Sequence, residues 1–235
     1  MAMGSESYQW WSKAKLCLVK GLFEKEAAPM KKKLSVLDCG CARGKFLEML
    51  SSNAFVADVK GIECSVEDIA SAAPAVKSKI VEGDASDLSF LKDSFDFVFC
   101  LDFLEHVDDE KAVKSISARL EKGGKLIATV PAYQSLFSSH DREVSHLRRY
   151  SAKQLRRLLE GNGFRVKRIG YWNFFLFPLL ALFRLKDKNA KGLRHAPAFL
   201  NTLLSAILKV ENFFVLSGIN FPWGLTVYCI AEKRK

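Results

Sequence analysis

Leu34-Ser35-Val36-Leu37-Asp38-Cys39-Gly40-Cys41-Ala42-Arg43-Gly44-Lys45-Phe46 is the stretch whose reading decides the fold. An apolar, β-prone run closes on an acid and passes through a turn of small residues. It then enters a helical pattern at Phe46, Leu47, Met49 and Leu50. A strand that feeds a helix through so short a turn needs residues with little or no Cβ bulk. Such a turn leaves backbone N–H groups open at a helix start, where a ligand can approach closely. A phosphate-binding P-loop is excluded, because three residues rather than four separate Gly40 from Gly44 and Phe46 follows Lys45. The same spacing excludes the dinucleotide fingerprint G-x-G-x-x-G.

What remains is Asp-x-Gly-x-(Gly/Ala)-x-Gly, which resembles motif I of the class I S-adenosyl-L-methionine (SAM) methyltransferases, with Ala42 in place of the middle glycine. The resemblance implies SAM as cofactor, held by Asp38, Gly40, Cys41 and Gly44. A second strand is expected over Val56 to Ile62, ending at Glu63-Cys64-Ser65. Glu63 lies 19 residues beyond Gly44, about the interval a βαβ unit needs, and a carboxylate there can accept both ribose hydroxyl hydrogens. The third strand, Lys79 to Glu82, ends at Gly83-Asp84-Ala85. That turn resembles the family's adenine-contacting turn, with Asp84 accepting from the adenine amino group and Ala85 beside the ring.

Phe95 to Leu101 is a nearly continuous apolar run, as expected of a central parallel strand buried on both faces. The Leu104-Glu105-His106-Val107 that follows resembles the segment after strand four in methyltransferases of ubiquinone and menaquinone biosynthesis. In that family the segment walls the methionine end of the cofactor, which places Leu101 and His106 in the cofactor site. His106 also reads as a packing histidine of a short helix. A helix over Glu110 to Leu120 is expected to close at Gly123-Gly124, with a fifth strand over Lys125 to Val130. The βαβαβαβαβ alternation predicts a Rossmann-like, doubly wound α/β sheet with a switch point after strand one. The family likeness adds seven strands, the last of them antiparallel.

The loop after strand five, Pro131 to Tyr150, carries His140, Asp141, His146, Arg148 and Arg149. It follows a strand's carboxyl end, where open α/β sheets bind ligands, and ionisable clusters in such loops are functional candidates. Its pattern Leu-Phe-Ser-x-His-Asp…His-x-Arg-Arg-Tyr is similar to a subgroup of methyltransferase-like proteins. His140 is the first choice for a general base, because imidazole accepts a proton near neutrality. Asp141 or His146 would orient it or the acceptor. Arg148, Arg149 and Tyr150 are substrate-binding candidates, the arginines for a phosphate or carboxylate. The arginines also read as a solvated flank before a helix capped by Ser151 and Gln154.

Strand six is expected over Phe164 to Tyr171 and the last strand over Leu225 to Ala231. Between them, 172–221 forms a hydrophobic helical insert. Its first apolar piece, Trp172 to Phe183, is 12 residues with Pro178 inside, too short for the ~20 apolar residues of a spanning helix. The second, Phe199 to Phe214, contains Lys209 and Glu211, and basic residues stand between the pieces. Apolar surface beside clustered cations suits peripheral contact with an anionic membrane; a lid over an apolar substrate tunnel or an oligomer face reads equally from the pattern.

At 235 residues and 49% apolar, the chain suits one domain, 34–235, after a helical leader, 1–33, expected as a helix from Tyr8 to Met30. The six cysteines (Cys17, Cys39, Cys41, Cys64, Cys100 and Cys229) form no CxxC pair and no zinc set, so buried free thiols and no metal are expected. Ser5 to Lys15 lacks the apolar core of a secretory signal, which points to the cytoplasm. The net charge of +10 favours anionic partners. Together these readings predict methyl transfer to an apolar, lipid-linked, isoprenoid or glycolipid acceptor, at oxygen. A first rival is RNA or DNA methylation, for which the basic charge speaks but no amino-methylating Asn/Asp-Pro-Pro-aromatic motif or Pro-Cys nucleophile pair does. The second is a catalytically silent SAM-fold partner protein at a membrane surface.

Overall fold

The structure is a computed structural model that describes residues 9–186 and 198–234. Tyr8 of the leader and Lys188, Lys191 and Arg194 of the expected basic loop lie outside the described residues. The strands are β1 (Leu34–Cys39), β2 (Val56–Glu63), β3 (Ile80–Glu82), β4 (Phe95–Leu101), β5 (Leu120–Pro131), β6 (Phe164–Trp172) and β7 (Thr226–Lys233). The helices are α1 (Gln9–Ala27), α2 (Lys45–Ser51), α3 (Val66–Ala70), α4 (Pro74–Lys77) and α5 (Asp109–Arg119), then α6 (Ser139–Glu143), α7 (Ala152–Gly161), α8 (Phe177–Lys186) and α9 (Ala198–Leu216). The sheet order is β3-β2-β1-β4-β5-β7-β6. Strands β3 to β5 pair in parallel, and β7 runs antiparallel to both β5 and β6. The order reverses between β1 and β4, so the crevice of a doubly wound sheet opens at their carboxyl ends.

The alternation along β4 shows why it is buried on both faces. Phe97 and Phe99 enter one core, with Phe23 of α1 and Phe46 of α2. Val98 and Cys100 enter the other, with Val113 and Ile116 of α5 and Leu155 of α7. Phe23 and Phe46 meet the β4 rings edge-on at 5.0 Å. Each such fully buried ring is worth about 1.5–3 kcal/mol. Helix α1 buries Trp10, Ala14, Leu18 and Leu22 at four-residue spacing. It ends where Pro29 opens a 3₁₀ turn and Lys31 turns left-handed. Lys32 then reaches Asp96 at 2.6 Å, and Lys33 donates to the Ala54 carbonyl.

Three expectations are corrected. The Gly123-Gly124 pair is a register shift inside β5 rather than a turn before it, because Leu120 already pairs with Phe95. Trp172 ends β6, fully buried, with its indole N–H donating to Asn212 Oδ1 at 2.8 Å, so the first insert helix starts later, at Phe177. Cys17 and Cys64 are exposed, because they fall on the outer side of α1 and just past the end of β2.

Helix α9 packs along α1. Gly21 leaves the room: a Cβ there would stand 2.7 Å from Leu216. Asn212 donates to the Ala14 carbonyl at 2.8 Å, and buried Glu211 accepts the backbone N–H groups of Asn173, Phe174 and Phe175. The window Phe199–Leu216 has the length and composition to cross a membrane. Its inner face, however, is committed to α1 through Leu204, Leu208 and Val215.

Candidate active site

The turn after β1 is held in the conformation its small residues suggest. Gly40 and Gly44 both have φ +71°, and a Cβ on Gly40 would lie 2.7 Å from the Phe103 ring. Ala42, the departure from the motif, also sits in the left-handed region at φ +46°, where an L-residue costs about 1–2 kcal/mol. Gly61 of β2 makes room for the turn, since a Cβ there would meet Cys41 Sγ at 2.6 Å. Nothing in a local pattern had marked Gly61 beyond a glycine inside a strand, which is itself a sign of close backbone approach.

Strand register brings Asp38, Glu63 and Asp84 to one edge, because they end three adjacent parallel strands. The Glu63 carboxylate turns inward and accepts Ala42 N at 2.8 Å and Cys64 N and Ser65 N at 2.9 Å. Asp38 is 3% exposed. Burial first, and then the Glu63 charge, push its carboxyl up to about 8. Asp84 is exposed, with one oxygen accepting Ser86 N at 2.8 Å, and Ala85 beside it is buried. Leu101 lies half-buried at the end of β4. Cys41 is buried and its thiol pushed up by that burial, whereas Cys64 is exposed.

Across the switch point lies a second group that sequence reading missed in part. Asp102, left-handed at φ +52°, accepts from Thr129 Oγ1 at 3.0 Å and pairs with the buried Lys15 of α1. Burial lowers the Lys15 ammonium to about 8, against the opposing pull of Glu105. Helix α1 thus reaches over the carboxyl end of β4. No periodicity signals this role, since a lysine in an amphipathic helix ordinarily reads as solvated. Glu105 is fully buried, and neither of its carboxylate oxygens has a hydrogen-bond partner. Burial pushes its carboxyl up to about 8. His106 packs edge-to-face on His146 at 4.7 Å and is lowered by burial and by that neighbour.

The loop after β5 is built around Asp141. Its carboxylate, with no exposed surface, accepts Ser138 N and Oγ, His146 Nδ1, and both Nε and Nη2 of Arg149 at 2.8–3.1 Å. Burial alone would raise this carboxyl; the His146 hydrogen bond and the Arg149 charge hold it well below the usual carboxylate range. Arg149 also donates to the Ala132 carbonyl at 3.2 Å. Arg148 pairs with Asp109 at 2.6 Å, and the Tyr150 hydroxyl donates to Asp109 at 2.7 Å. The structure therefore brings Asp141, His146 and Arg149 together. It commits the polar atoms of Arg149 and Tyr150 to partners within the protein. His140 lies half-buried on α6, in the same loop.

A family model described as a methyltransferase domain matches residues 10–169. The chain belongs to this family. Among curated relatives, an uncharacterized protein of Methanocaldococcus jannaschii is 32% identical over 106 residues, 45% of this chain and 44% of that protein. A ubiquinone biosynthesis O-methyltransferase of Coxiella burnetii is 30% identical over 95 residues, 39% of this chain and 41% of that protein. The matches thus span less than half of these relatives' own lengths. Among solved structures, a SAM-dependent methyltransferase from Archaeoglobus fulgidus superposes with a TM-score of 0.59 at 21% identity, covering 97% of this chain and 100% of that one. At that identity the likeness is one of fold.

The cleft of this methyltransferase domain carries acceptors whose chemistry suits SAM. Glu63 and Asp84 present acceptors at neighbouring strand ends, suited to ribose hydroxyls and an adenine amino group. Gly40 keeps the backbone beside Phe103 free of a Cβ. Asp38, Glu63 and Asp102 place three carboxyl groups on the rim, the last of them paired with Lys15.

Proposed function

We propose that this SAM-dependent methyltransferase methylates a hydroxyl oxygen of an apolar, lipid-linked acceptor, isoprenoid or glycolipid in character, at the surface of an anionic membrane. The observation that carries this reading is the surface of the insert. Nine of the twelve strongly exposed large apolar side chains among the described residues lie between Phe175 and Trp223. Phe199 is 74% and Phe213 66% exposed on the outer face of α9. A concentration of this kind marks a site of membrane or partner contact, and the net charge of +10 favours an anionic surface. That one relative is an O-methyltransferase of ubiquinone biosynthesis supports oxygen as the acceptor atom.

SAM supplies an electrophilic methyl group on sulfur. The chain's part is to align the acceptor, exclude water and take up a proton. In this reading Asp38, Gly40, Cys41, Gly44, Glu63, Cys64, Asp84, Ala85, Leu101 and His106 form the cofactor site. His140 takes the hydroxyl proton. Asp141 and Arg149 hold the loop that carries it, and Arg148 and Tyr150 fasten the loop's end to Asp109.

Incubation with methyl-labelled SAM and separate lipid, small-molecule and RNA extracts tests the acceptor. Label is expected in the lipid fraction, and label confined to RNA would overturn the reading. Flotation with anionic vesicles tests the surface: binding is expected at low salt and reduced at high salt. Protein that stays at the bottom under both conditions would assign the insert to a lid or an oligomer face.

A further inference from the structure

We propose that Glu105, His106 and His146 form a binding site for a divalent transition-metal ion, zinc in the first place. One ligand atom from each residue lies within 4.8 Å of the other two. Ligand atoms bound at ~2.1 Å around a tetrahedral ion stand about 3.4 Å apart, so the side chains close by up to about 1.4 Å to hold it. Two imidazoles and one carboxylate are a donor set zinc accepts with a further position left open.

The hydrogen-bond geometry gives a second, independent reason. A carboxylate only accepts, so His146 Nδ1, 2.8 Å from Asp141 Oδ1, carries the ring proton. His146 Nε2 on the other side of the ring lies 3.9 Å from Glu105 Oε1. Glu105 has no exposed surface, and neither of its oxygens has a hydrogen-bond partner. The gap from Nε2 to Oε1 is too long for a hydrogen bond. A buried, unpartnered carboxylate is costly unless paired or bound to a metal.

The surrounding cations do not fill the gap. Lys15 is committed to Asp102, and Arg149 to Asp141 in a bidentate pair. Both histidines are also oriented from behind, as metal-binding imidazoles usually are. Asp141 accepts from His146, and the Ser145 backbone hydrogen-bonds His106. Ser145 is left-handed at φ +59°; such backbone strain collects at functional sites. Because His106 and His146 are only partly buried, the ion has an entry path from their side.

Glu105 and His106 lie directly after β4 and His146 in the loop after β5, both at the carboxyl edge of the sheet. An ion there, with its open position toward the cleft, would polarise an acceptor hydroxyl and ease loss of its proton. That role rests on oxygen methylation; binding of the ion does not.

The experiment is calorimetric titration of chelator-treated full-length protein with Zn²⁺, with metal content by mass spectrometry and the absorption spectrum of the Co²⁺-loaded protein as separate readouts. One Zn²⁺ per chain is expected, together with visible Co²⁺ bands of a four- or five-coordinate site. Glu105→Gln and His106→Ala should each weaken Zn²⁺ binding by 10²-fold or more, with the folded state checked by circular dichroism. Absence of stoichiometric binding, or binding unchanged in both variants, would overturn the site. So would a histidine NMR titration in which Glu105 and His146 share one proton unaffected by added Zn²⁺. Zn²⁺ binding without methyl transfer to any hydroxyl acceptor would keep the site and remove only its catalytic role.

Discussion

Asp141→Asn isolates the physical role of the loop after β5. In the wild type one carboxylate accepts five hydrogen bonds, two of them from a guanidinium whose side chain is 3% exposed. The amide keeps one acceptor oxygen and turns an NH₂ toward groups that are themselves donors. Arg149 is then left buried and charged without its partner, and removing one partner of a buried pair costs about 3–5 kcal/mol. A domain of this size is stable by only about 5–15 kcal/mol in all. Urea denaturation should therefore show a large loss, and Tm should fall by roughly 6–20 °C at about 2–4 °C per kcal/mol. The companion variant Asp141→Asn with Arg149→Met should be closer to wild type, because it leaves no unpaired buried charge.

The pH dependence of the same pair has a fixed sign. The folded-state pKa of Asp141 is depressed, so its stabilisation is complete above the unfolded value near 4 and is lost as pH falls toward the folded one. Asp141→Asn should lack this acid limb. A change within about 1 kcal/mol of wild type, with the acid limb intact, would refute the assignment of Asp141 as the loop's buried anchor.

Glu63→Ala should weaken SAM binding by about 1.5–3 kcal/mol, roughly 10- to 150-fold; unchanged affinity by calorimetry would remove Glu63 from the cofactor site. Asp38 has a folded pKa raised to about 8, so its contribution is present below the unfolded value and lost as pH rises toward 8. The stability advantage of Asp38→Asn over wild type should accordingly grow between about pH 4 and 8 and level off above; a flat difference would contradict the burial argument. Ala42→Gly should raise stability by about 1 kcal/mol through relief of the left-handed backbone, and a loss would mean that the Ala42 methyl packs usefully. His140→Ala should leave SAM affinity intact while turnover with the true acceptor falls about 10²–10⁴-fold; near-normal turnover would end its assignment as the base.

The amino-acid sequence alone determined the strand–turn–helix at Leu34 to Phe46, the parallel alternation and the acids at successive strand ends. Those features are local. Side-chain period reports burial, a tight turn demands small residues, and one βαβ unit sets the interval between Gly44 and Glu63. Tertiary structure alone decided what the ionisable residues do. Asp141 and Arg149 had the look of chemistry in a linear pattern, and packing made them each other's partners. Lys15 meets Asp102 across 87 residues, and α9 lies on α1 because Gly21 leaves room for Leu216. Glu105 and His146 face one another only because the loop after β5 folds back, with Leu147 N donating to the Glu105 carbonyl at 2.8 Å. No local propensity encodes such contacts. They arise when distant segments share a low-dielectric interior, where a charge must find a partner wherever along the chain that partner lies.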